Sequence, residues 1–212
     1  MTAHSWFSRE GLLALILGVG LVAISTKAVA QNKSAQPKRA GIISVRIETS
    51  LGAITADIDS AHAPVSAANF LRYVDSLAYI GGRFHRAVTM ANQPRDSVRI
   101  EVIQGGANPD RIGARFPAIP LERTSVTGLR HRDGTLSMAR GGPDTATSDF
   151  FICVGDQPAL DFGGRRNPDG QGFAAFGQVT GGMDVVRAIQ RRPVNAQSLT
   201  PPVEIRRVVR IK

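Results

Sequence analysis

Short runs of alternating apolar and polar residues, separated by turns rich in glycine and proline, constrain this chain more than any other feature. The first clear example covers residues 44–58, where apolar residues recur at alternate positions on either side of a turn at Ser50-Leu51-Gly52. Successive side chains of a β-strand point to opposite faces, so a half-buried strand has this period of two. The segment therefore predicts a β-hairpin at the start of a sheet.

The rest of the chain is predicted to consist mainly of short strands, with two helices among them. Residues 64–77 and 183–191 change to a helical spacing of apolar residues, with Pro64 in a first turn and Pro193 beyond a last turn. The predicted strands are 83–88, 99–104, 134–139, 150–154, 174–179 and 203–211. Many short strands with Gly and Pro turns indicate a closed or nearly closed β-barrel, whose ends the two helices are expected to cover.

The N-terminal segment differs in composition from the rest of the chain. An arginine precedes an apolar run over residues 11–24, short for a membrane span, and Ala28-Val29-Ala30 follows. This order is typical of a secretory signal peptide. Residues 1–30 are therefore predicted to be a cleaved export signal, 31–42 a flexible polar and basic spacer, and 43–212 the folded domain. A periplasmic or secreted protein is expected; the alternative is a membrane anchor formed by an uncleaved N-terminal segment.

Charge and the scarcity of reactive side chains exclude several classes of function. The formal net charge is +9, but the basic residues are scattered and aromatic residues make up only 6% of the chain, which argues against a nucleic-acid surface. A polyanion binder is an alternative that rests on charge alone. Cys153 is the only cysteine and lies in an apolar strand pattern, and the four histidines lack metal-ligand spacing. We therefore expect no nucleic-acid partner, no metal and no cofactor.

Two pairs of segments carry the residues that best suit a ligand groove. Phe84-His85-Arg86 precedes Val102-Ile103-Gln104-Gly105-Gly106, and residues 134–139 precede residues 148–152. Together they supply one fixed cation, one amide side chain and a pair of strands bearing apolar side chains. That set suits a shallow groove that holds a proline ring and forms hydrogen bonds with the peptide beside it.

These segments resemble the cyclophilin family of peptidyl-prolyl cis-trans isomerases. The similarity extends from about residue 45 to residue 211 and includes Phe176-Gly177-Gln178-Val179. It implies a mainly β fold, a closed eight-stranded antiparallel β-barrel capped by two short α-helices. It also implies an enzyme that accelerates rotation about X-Pro bonds during protein folding. The export signal and the insertion between Arg86 and Gln104 make the chain similar to bacterial periplasmic members.

The resemblance implies roles for particular residues. Arg86 is the implied catalytic residue, which hydrogen-bonds the substrate carbonyl and the proline nitrogen as that nitrogen pyramidalises. Gln104 is implied to bind the substrate backbone and to orient the arginine. Strand alternation places one of Phe150 and Phe151 in the groove and the other in the barrel, and the resemblance selects Phe151 for the groove. The other residues implied to bind substrate are Phe84, Val102, Ala139, Arg140, Leu160 and Phe173.

Several positions depart from the family pattern. Glu101-Val102 stands where many members have Phe-Met, Ala159 where animal members have Trp, and Phe173 where many members have His. We expect these changes to weaken cyclosporin binding more than catalysis. They also leave an alternative open, a non-catalytic proline-peptide binding module or chaperone on the same fold. Residues 89–99 and 163–172 are expected to form exposed loops beside the groove.

The expected partners are proline-containing peptides and unfolded proteins. A monomer is expected, as is usual for a small barrel of this kind, without stable membrane insertion once the signal is cleaved. These expectations rest on the resemblance and on the N-terminal segment.

Overall fold

The computed structural model describes residues 40–112 and 116–211. The predicted export signal and nearly all of the predicted spacer lie outside these residues, so both stay predictions. The first strand begins at Ile42, next to the predicted start of the folded domain. No helix within the described residues is long and apolar enough to cross a membrane.

Nine strands and three short α-helices are present in the described part of the chain. The strands are β1 (Ile42–Thr49), β2 (Gly52–Asp59), β3 (Gly82–Val88), β4 (Val102–Gly106), β5 (Thr135–Met138), β6 (Phe150–Cys153), β7 (Ala174–Gly181), β8 (Val194–Asn195) and β9 (Ser198–Arg210). The helices are α1 (Pro64–Asp75), α2 (Thr124–Thr127) and α3 (Met183–Gln190), and single 3-10 turns lie at Met90–Asn92, Pro109–Arg111 and Pro158–Leu160.

Eight of the strands form a closed antiparallel barrel. Its neighbours follow the order β1-β2-β7-β5-β6-β4-β3-β9, and pairing of β9 with β1 closes the ring. The remaining strand, β8, pairs with β9 as a short hairpin. The mainly β fold and the eight-stranded barrel predicted from the sequence are confirmed.

Aromatic side chains pack against one another in the main buried core. The ring of Phe70, which α1 contributes, lies 5.4 Å from Tyr79, 5.4 Å from Phe150 and 5.3 Å from Phe176, measured between ring centroids. The Tyr79 hydroxyl donates a hydrogen bond to the carbonyl of Ser148 at 2.8 Å, which satisfies its polar atom inside the core. Aromatic rings bury more apolar surface per residue than other side chains, so this cluster is a major source of the barrel's stability.

Both predicted helices are present and pack through one apolar face. The buried face of α1 includes Phe70 and Val74. Its first residues receive no side-chain cap from within the helix; instead, the Glu122 carboxylate accepts hydrogen bonds from the backbone N–H groups of Val65 (2.9 Å) and Ser66 (2.7 Å). A negative charge at a helix N-terminus satisfies free N–H groups and favours the helix dipole.

Strand β4 begins at Val102, later than the predicted start at residue 99. The side chain of Gln93 replaces the strand ladder at Ile100, since its Nε2 donates to the Ile100 carbonyl (2.7 Å) and its Oε1 accepts from the Ile100 N–H (3.2 Å). Gln93 is only 2% exposed. The alternating pattern therefore extends through a segment whose backbone is paired by a side chain rather than by a strand.

Strand β9 begins at Ser198 rather than at the predicted residue 203. Pro201 and Pro202 cannot donate hydrogen bonds to a sheet, so the sequence pattern favours a loop there. Both prolines lie within a register shift between β3 and β9, where Arg86 pairs with Ser198 and Phe84 with Val203. Strand β9 can include the two prolines because the hydrogen-bond ladder between β3 and β9 is already interrupted at this point.

Candidate active site

A groove of about 470 Å³ lies beside β3, β4 and β6 and the loops that follow β5 and β6. Of the residues predicted to act on a substrate, it is lined by Arg86, Val102, Gln104, Ala139, Arg140, Phe151, Leu160 and Phe173. The structure thus brings together residues from widely separated segments, and it excludes one predicted residue, Phe84.

Phe84 lies on the opposite face of β3, inside the barrel. It is completely buried, and its ring meets that of Phe150 edge-on at 5.8 Å. A Cβ on Gly105 would come within 2.8 Å of this ring, so the glycine allows β4 to pass. A register shift at His85 turns Arg86 towards the groove. The prediction that Phe84 binds substrate is therefore wrong, because this side chain supports β3 from the core.

Two glutamine side chains hold the guanidinium of Arg86. Its Nε and Nη2 donate to Oε1 of Gln197 at 2.9 and 2.6 Å, and its Nη1 donates to Oε1 of Gln104 at 3.0 Å. Burial lowers the pKa of Arg86, and the nearby Arg166 lowers that pKa further. A guanidinium nevertheless stays charged in proteins. Arg86 is thus a fixed cation whose hydrogen-bond partners are neutral.

The orientation of the Gln104 amide follows from its two neighbours. A guanidinium only donates hydrogen bonds and a carboxylate only accepts them. The Gln104 oxygen therefore faces Arg86, and its Nε2 donates to Oδ2 of Asp149 at 3.2 Å. Nε2 of His85 lies 3.6 Å from the same Asp149 oxygen. Asp149 thus keeps Gln104 in the orientation that supports Arg86.

An apolar pocket lies next to these polar side chains. Phe151, Val102 and Leu160 belong to a buried cluster that is separate from the barrel core, and the Phe173 ring meets Phe151 edge-on at 5.3 Å. Cys153 lies in the same cluster, where burial raises the pKa of its thiol, so it is an inert apolar side chain rather than a nucleophile. Apolar walls beside a few fixed polar groups are typical of a ligand pocket.

A buried polar network supports Phe151 from behind. The His131 ring stacks on the Phe151 ring at 5.9 Å, its Nε2 lies 2.9 Å from Oγ of Ser137, and its Nδ1 lies 2.7 Å from Oδ1 of Asp161. Burial raises the pKa of Asp161, but hydrogen bonds from His131 together with nearby positive charge, including that of Arg130, hold that pKa below the ordinary value. Within the described residues, neither this network nor any other group of three His, Cys, Asp or Glu side chains is arranged to hold a metal ion.

Arg140 shapes one side of the groove by binding the loop over residues 163–172. Its Nη1 and Nη2 donate to the two carboxylate oxygens of Asp169 at 2.8 and 3.0 Å, and its Nε and Nη2 donate to the Gly172 carbonyl at 2.8 and 2.6 Å. The guanidinium also lies over the Phe173 ring, 5.0 Å from its centroid. The Arg140 side chain is 1% exposed, so its guanidinium is committed to the loop rather than open to a substrate.

Arg166 connects this loop to the insertion over residues 89–99. Its Nη1 donates to the Val98 carbonyl at 2.7 Å and lies 2.9 Å from Oδ2 of Asp96. Arg166 also lines the groove. The two segments that were expected to lie beside the groove therefore flank it and are joined by a salt bridge.

Sequence reasoning missed several residues that line the groove, among them Ile100 and Asp149, and it missed Gln197, which holds Arg86. Ile100 lines the groove where an apolar wall was sought at Glu101, and alternation from Val102 points to it. Asp149 lies two positions before Phe151, so alternation places it on the same face as that groove residue. Gln197 follows Arg86 by 111 residues, and no spacing rule connects the two.

The fold and the groove together define a β-barrel protein with an apolar pocket beside a fixed guanidinium. The model of the family described as cyclophilin type peptidyl-prolyl cis-trans isomerase/CLD matches residues 44–210. The chain therefore belongs to the cyclophilin-type peptidyl-prolyl isomerase family, and it is an enzyme of that class. The resemblance noted in the sequence motifs is confirmed at the level of the family.

Bacterial relatives support this assignment along most of their length. The peptidyl-prolyl cis-trans isomerase cyp18 of Streptomyces antibioticus is 37% identical over 147 residues, which cover 69% of this chain and 82% of the relative. A peptidyl-prolyl cis-trans isomerase of Acinetobacter baylyi is 35% identical over 156 residues, covering 73% and 76% of the two chains.

Solved structures agree on the fold. A cyclophilin-type peptidyl-prolyl cis-trans isomerase of Cryptosporidium parvum superimposes with a TM-score of 0.64 at 23% identity, covering 81% of this chain and 98% of that one. A second structure of that protein, determined in the presence of the dipeptide Ala-Pro, gives a TM-score of 0.63. At this identity the similarity concerns the architecture of the barrel.

Proposed function

We propose that Arg86 catalyses rotation about X-Pro bonds while the apolar pocket around Phe151 holds the proline ring. Rotation requires loss of amide resonance, with a barrier of about 20 kcal/mol. As resonance is lost, the lone pair localises on the proline nitrogen, which becomes a better hydrogen-bond acceptor. A donor placed there stabilises the twisted state more than the planar one, which is the condition for catalysis.

The observation that carries this proposal is the way in which Arg86 is held. Gln197 and Gln104 bind all three nitrogens of its guanidinium before any substrate arrives. Preorganised donors need little reorganisation during the reaction. Raising an exchange rate of ~0.01–0.1 per second to ~1000 per second requires a barrier reduction of about 6–7 kcal/mol. Electrostatic stabilisation and positioning are expected to supply it without a nucleophile or an acid–base pair.

The proposed substrates are proline-containing peptides and unfolded proteins. The pocket formed by Val102, Phe151, Leu160 and Phe173 is apolar on several sides, which suits a pyrrolidine ring. Ile100 completes the wall on the side where Glu101 departs from the family pattern. The presence of the dipeptide Ala-Pro in one determination of the Cryptosporidium parvum protein supports the same substrate class here.

The test is cis–trans exchange of an Ala-Pro-Phe-type peptide, measured by exchange NMR for the domain and for Arg86→Ala and Arg86→Lys. Acceleration by the parent is expected to fall about 100-fold or more in both variants, because a lysine keeps the charge but lacks the planar donors. Arg83→Ala is the matched control, since Arg83 lies exposed on the same strand. Full activity of Arg86→Lys would contradict the proposed role of the guanidinium.

We further propose that the clients are exported or envelope proteins, on the basis of the N-terminal sequence. Cleavage after Ala30 gives a mature chain that begins at Gln31. Mass spectrometry of the protein from the periplasmic or secreted fraction of a bacterial host is expected to find this N-terminus, and light scattering to find a monomer. An intact Met1 in the membrane fraction would instead favour the anchored alternative.

A further inference from the structure

We infer that Arg166, together with Arg86, forms a subsite for a carboxylate that the substrate peptide carries close to its proline. We call this pair the carboxylate subsite. The inference rests on the proposed function, because it places the acidic group relative to a proline held beside Phe151. Its ligand class is a peptide with glutamate or aspartate within about two residues of the proline.

Arg166 has hydrogen-bonding capacity left for a ligand. Both of its contacts, with the Val98 carbonyl and with Asp96, are made by Nη1. Within the described residues, its Nε and Nη2 make no hydrogen bond, and neither is a buried unpaired atom. The side chain is 15% exposed and lines the groove. Two donors of a well-anchored guanidinium are therefore open to the groove.

The charges around the subsite leave room for one more anion. Arg140 is neutralised by the two oxygens of Asp169, and its side chain is closed to solvent. Arg86 has only neutral hydrogen-bond partners, and the one carboxylate that pairs with Arg166, that of Asp96, is itself 40% exposed. Asp149, which lines the groove, lies on the far side of Gln104 from Arg86 and binds that amide. A peptide carboxylate relieves the repulsion between the two guanidinium groups.

The same geometry limits where the acidic residue lies. Arg86 is the proposed site of the twisted amide, and Arg166 lines the same groove, where its charge lowers the pKa of Arg86. An extended peptide advances about 3.3 Å per residue. A glutamate one or two residues from the proline therefore reaches Arg166 when the X-Pro bond lies at Arg86. Charge-assisted hydrogen bonds to a carboxylate suit the two free guanidinium donors.

The test compares peptides that differ only in one charge. Glu or Gln is placed, one position at a time, at the two residues on either side of the proline, and exchange is measured by NMR at low salt. At one position the parent is expected to act on the Glu peptide about twofold to fivefold faster than on the Gln peptide. Arg166→Gln is expected to bring that ratio to about one, whereas Arg165→Gln, a change at the exposed neighbour, leaves it unchanged.

A second variant separates recognition from a purely structural salt bridge. Asp96→Asn removes the partner of Arg166 but keeps the guanidinium in the groove. If Arg166 binds a substrate carboxylate, this variant raises the Glu-to-Gln ratio, because a competing anion is gone. If the Arg166–Asp96 pair only joins the two loops, Asp96→Asn and Arg166→Gln have the same effect: both lower the Glu-to-Gln ratio, or both leave it unchanged. The inference is therefore overturned if the Glu-to-Gln ratio responds in the same way to both substitutions.

Peptide binding provides a readout that does not depend on catalysis. The same Glu and Gln peptides are titrated into parent and variants, and dissociation constants are taken from amide shifts. A folded parent that binds the peptides without accelerating exchange contradicts the proposed function, while the binding ratio still decides the carboxylate subsite. Equal binding of Glu and Gln peptides at every position, or a preference that persists in Arg166→Gln, overturns the inference. Preference for Glu is also expected to shrink in about 0.5 M salt.

Discussion

Neighbouring residues in this chain have opposite environments because of local backbone geometry. Phe150 points into the barrel and meets Phe70 and Phe84, whereas Phe151 belongs to the groove cluster. Simple alternation predicted that the two phenylalanines would separate but not which one would face the groove. The register shift at His85 has the same effect for Phe84 and Arg86, which lie on opposite faces although they are two residues apart.

Gln197 is expected to be a positioning residue for Arg86. In Gln197→Ala, Nε and Nη2 of a partly buried guanidinium lose their acceptor, so Arg86 gains freedom and the twisted amide loses a fixed donor. We expect kcat to fall about tenfold with little change in KM, in line with a lost hydrogen bond to a charged group. Asn195→Ala, at an exposed position of the same hairpin, is the control. A larger effect on KM than on kcat would argue against the positioning role.

At the scale of elements, side chains complete the irregular segments that surround the groove. Gln93 pairs the backbone at Ile100, Arg140 binds the loop over residues 163–172, and Arg166 links this loop to the insertion. These loops have few backbone pairs of their own, so their conformation depends on a small number of buried polar side chains. Loops held in this way are expected to open locally at a lower free energy than the strands of the barrel.

Arg140→Ala is expected to loosen one wall of the groove. The change removes two hydrogen bonds to Asp169, two to Gly172 and the contact with the Phe173 ring. We expect a melting temperature about 2–6 °C lower and faster amide exchange confined to residues 163–172. Arg132→Ala, which removes an exposed charge elsewhere, serves as control. Unchanged amide exchange in this loop would show that Arg140 does not hold it.

At the scale of the whole molecule, one barrel provides the core and the scaffold for the groove. The inward side chains of β3, β4 and β6 fill the barrel core, and outward ones such as Arg86, Gln104 and Phe151 line the groove. Closure through β1 and β9 leaves the wall without a long open edge. The groove geometry and the global stability are therefore coupled, since both depend on the same strands.

The decrease in the free energy of unfolding at acid pH is expected to depend partly on Asp161. Its pKa is lowered in the folded protein, so this carboxylate contributes stability above its unfolded pKa of about 3.9, and the contribution is lost as pH falls through the lower folded value. Urea unfolding should find Asp161→Asn less stable than the parent near pH 7, with a difference that shrinks below about pH 4. Glu204→Gln, at an exposed position of β9, is expected to match the parent throughout.

The sequence by itself determined the β class, both helices, the family and most of the groove residues, because period-two alternation and short motifs depend only on neighbouring residues. Tertiary structure decided the rest. The position of Phe84 depends on a β-bulge that is stabilised by packing in the barrel. The hydrogen bonds between Gln197 and Arg86 form only because β3 pairs with β9. Arg140 and Arg166 acquired their partners only when loops distant in sequence came together. Such contacts depend on long-range packing, which no local pattern encodes.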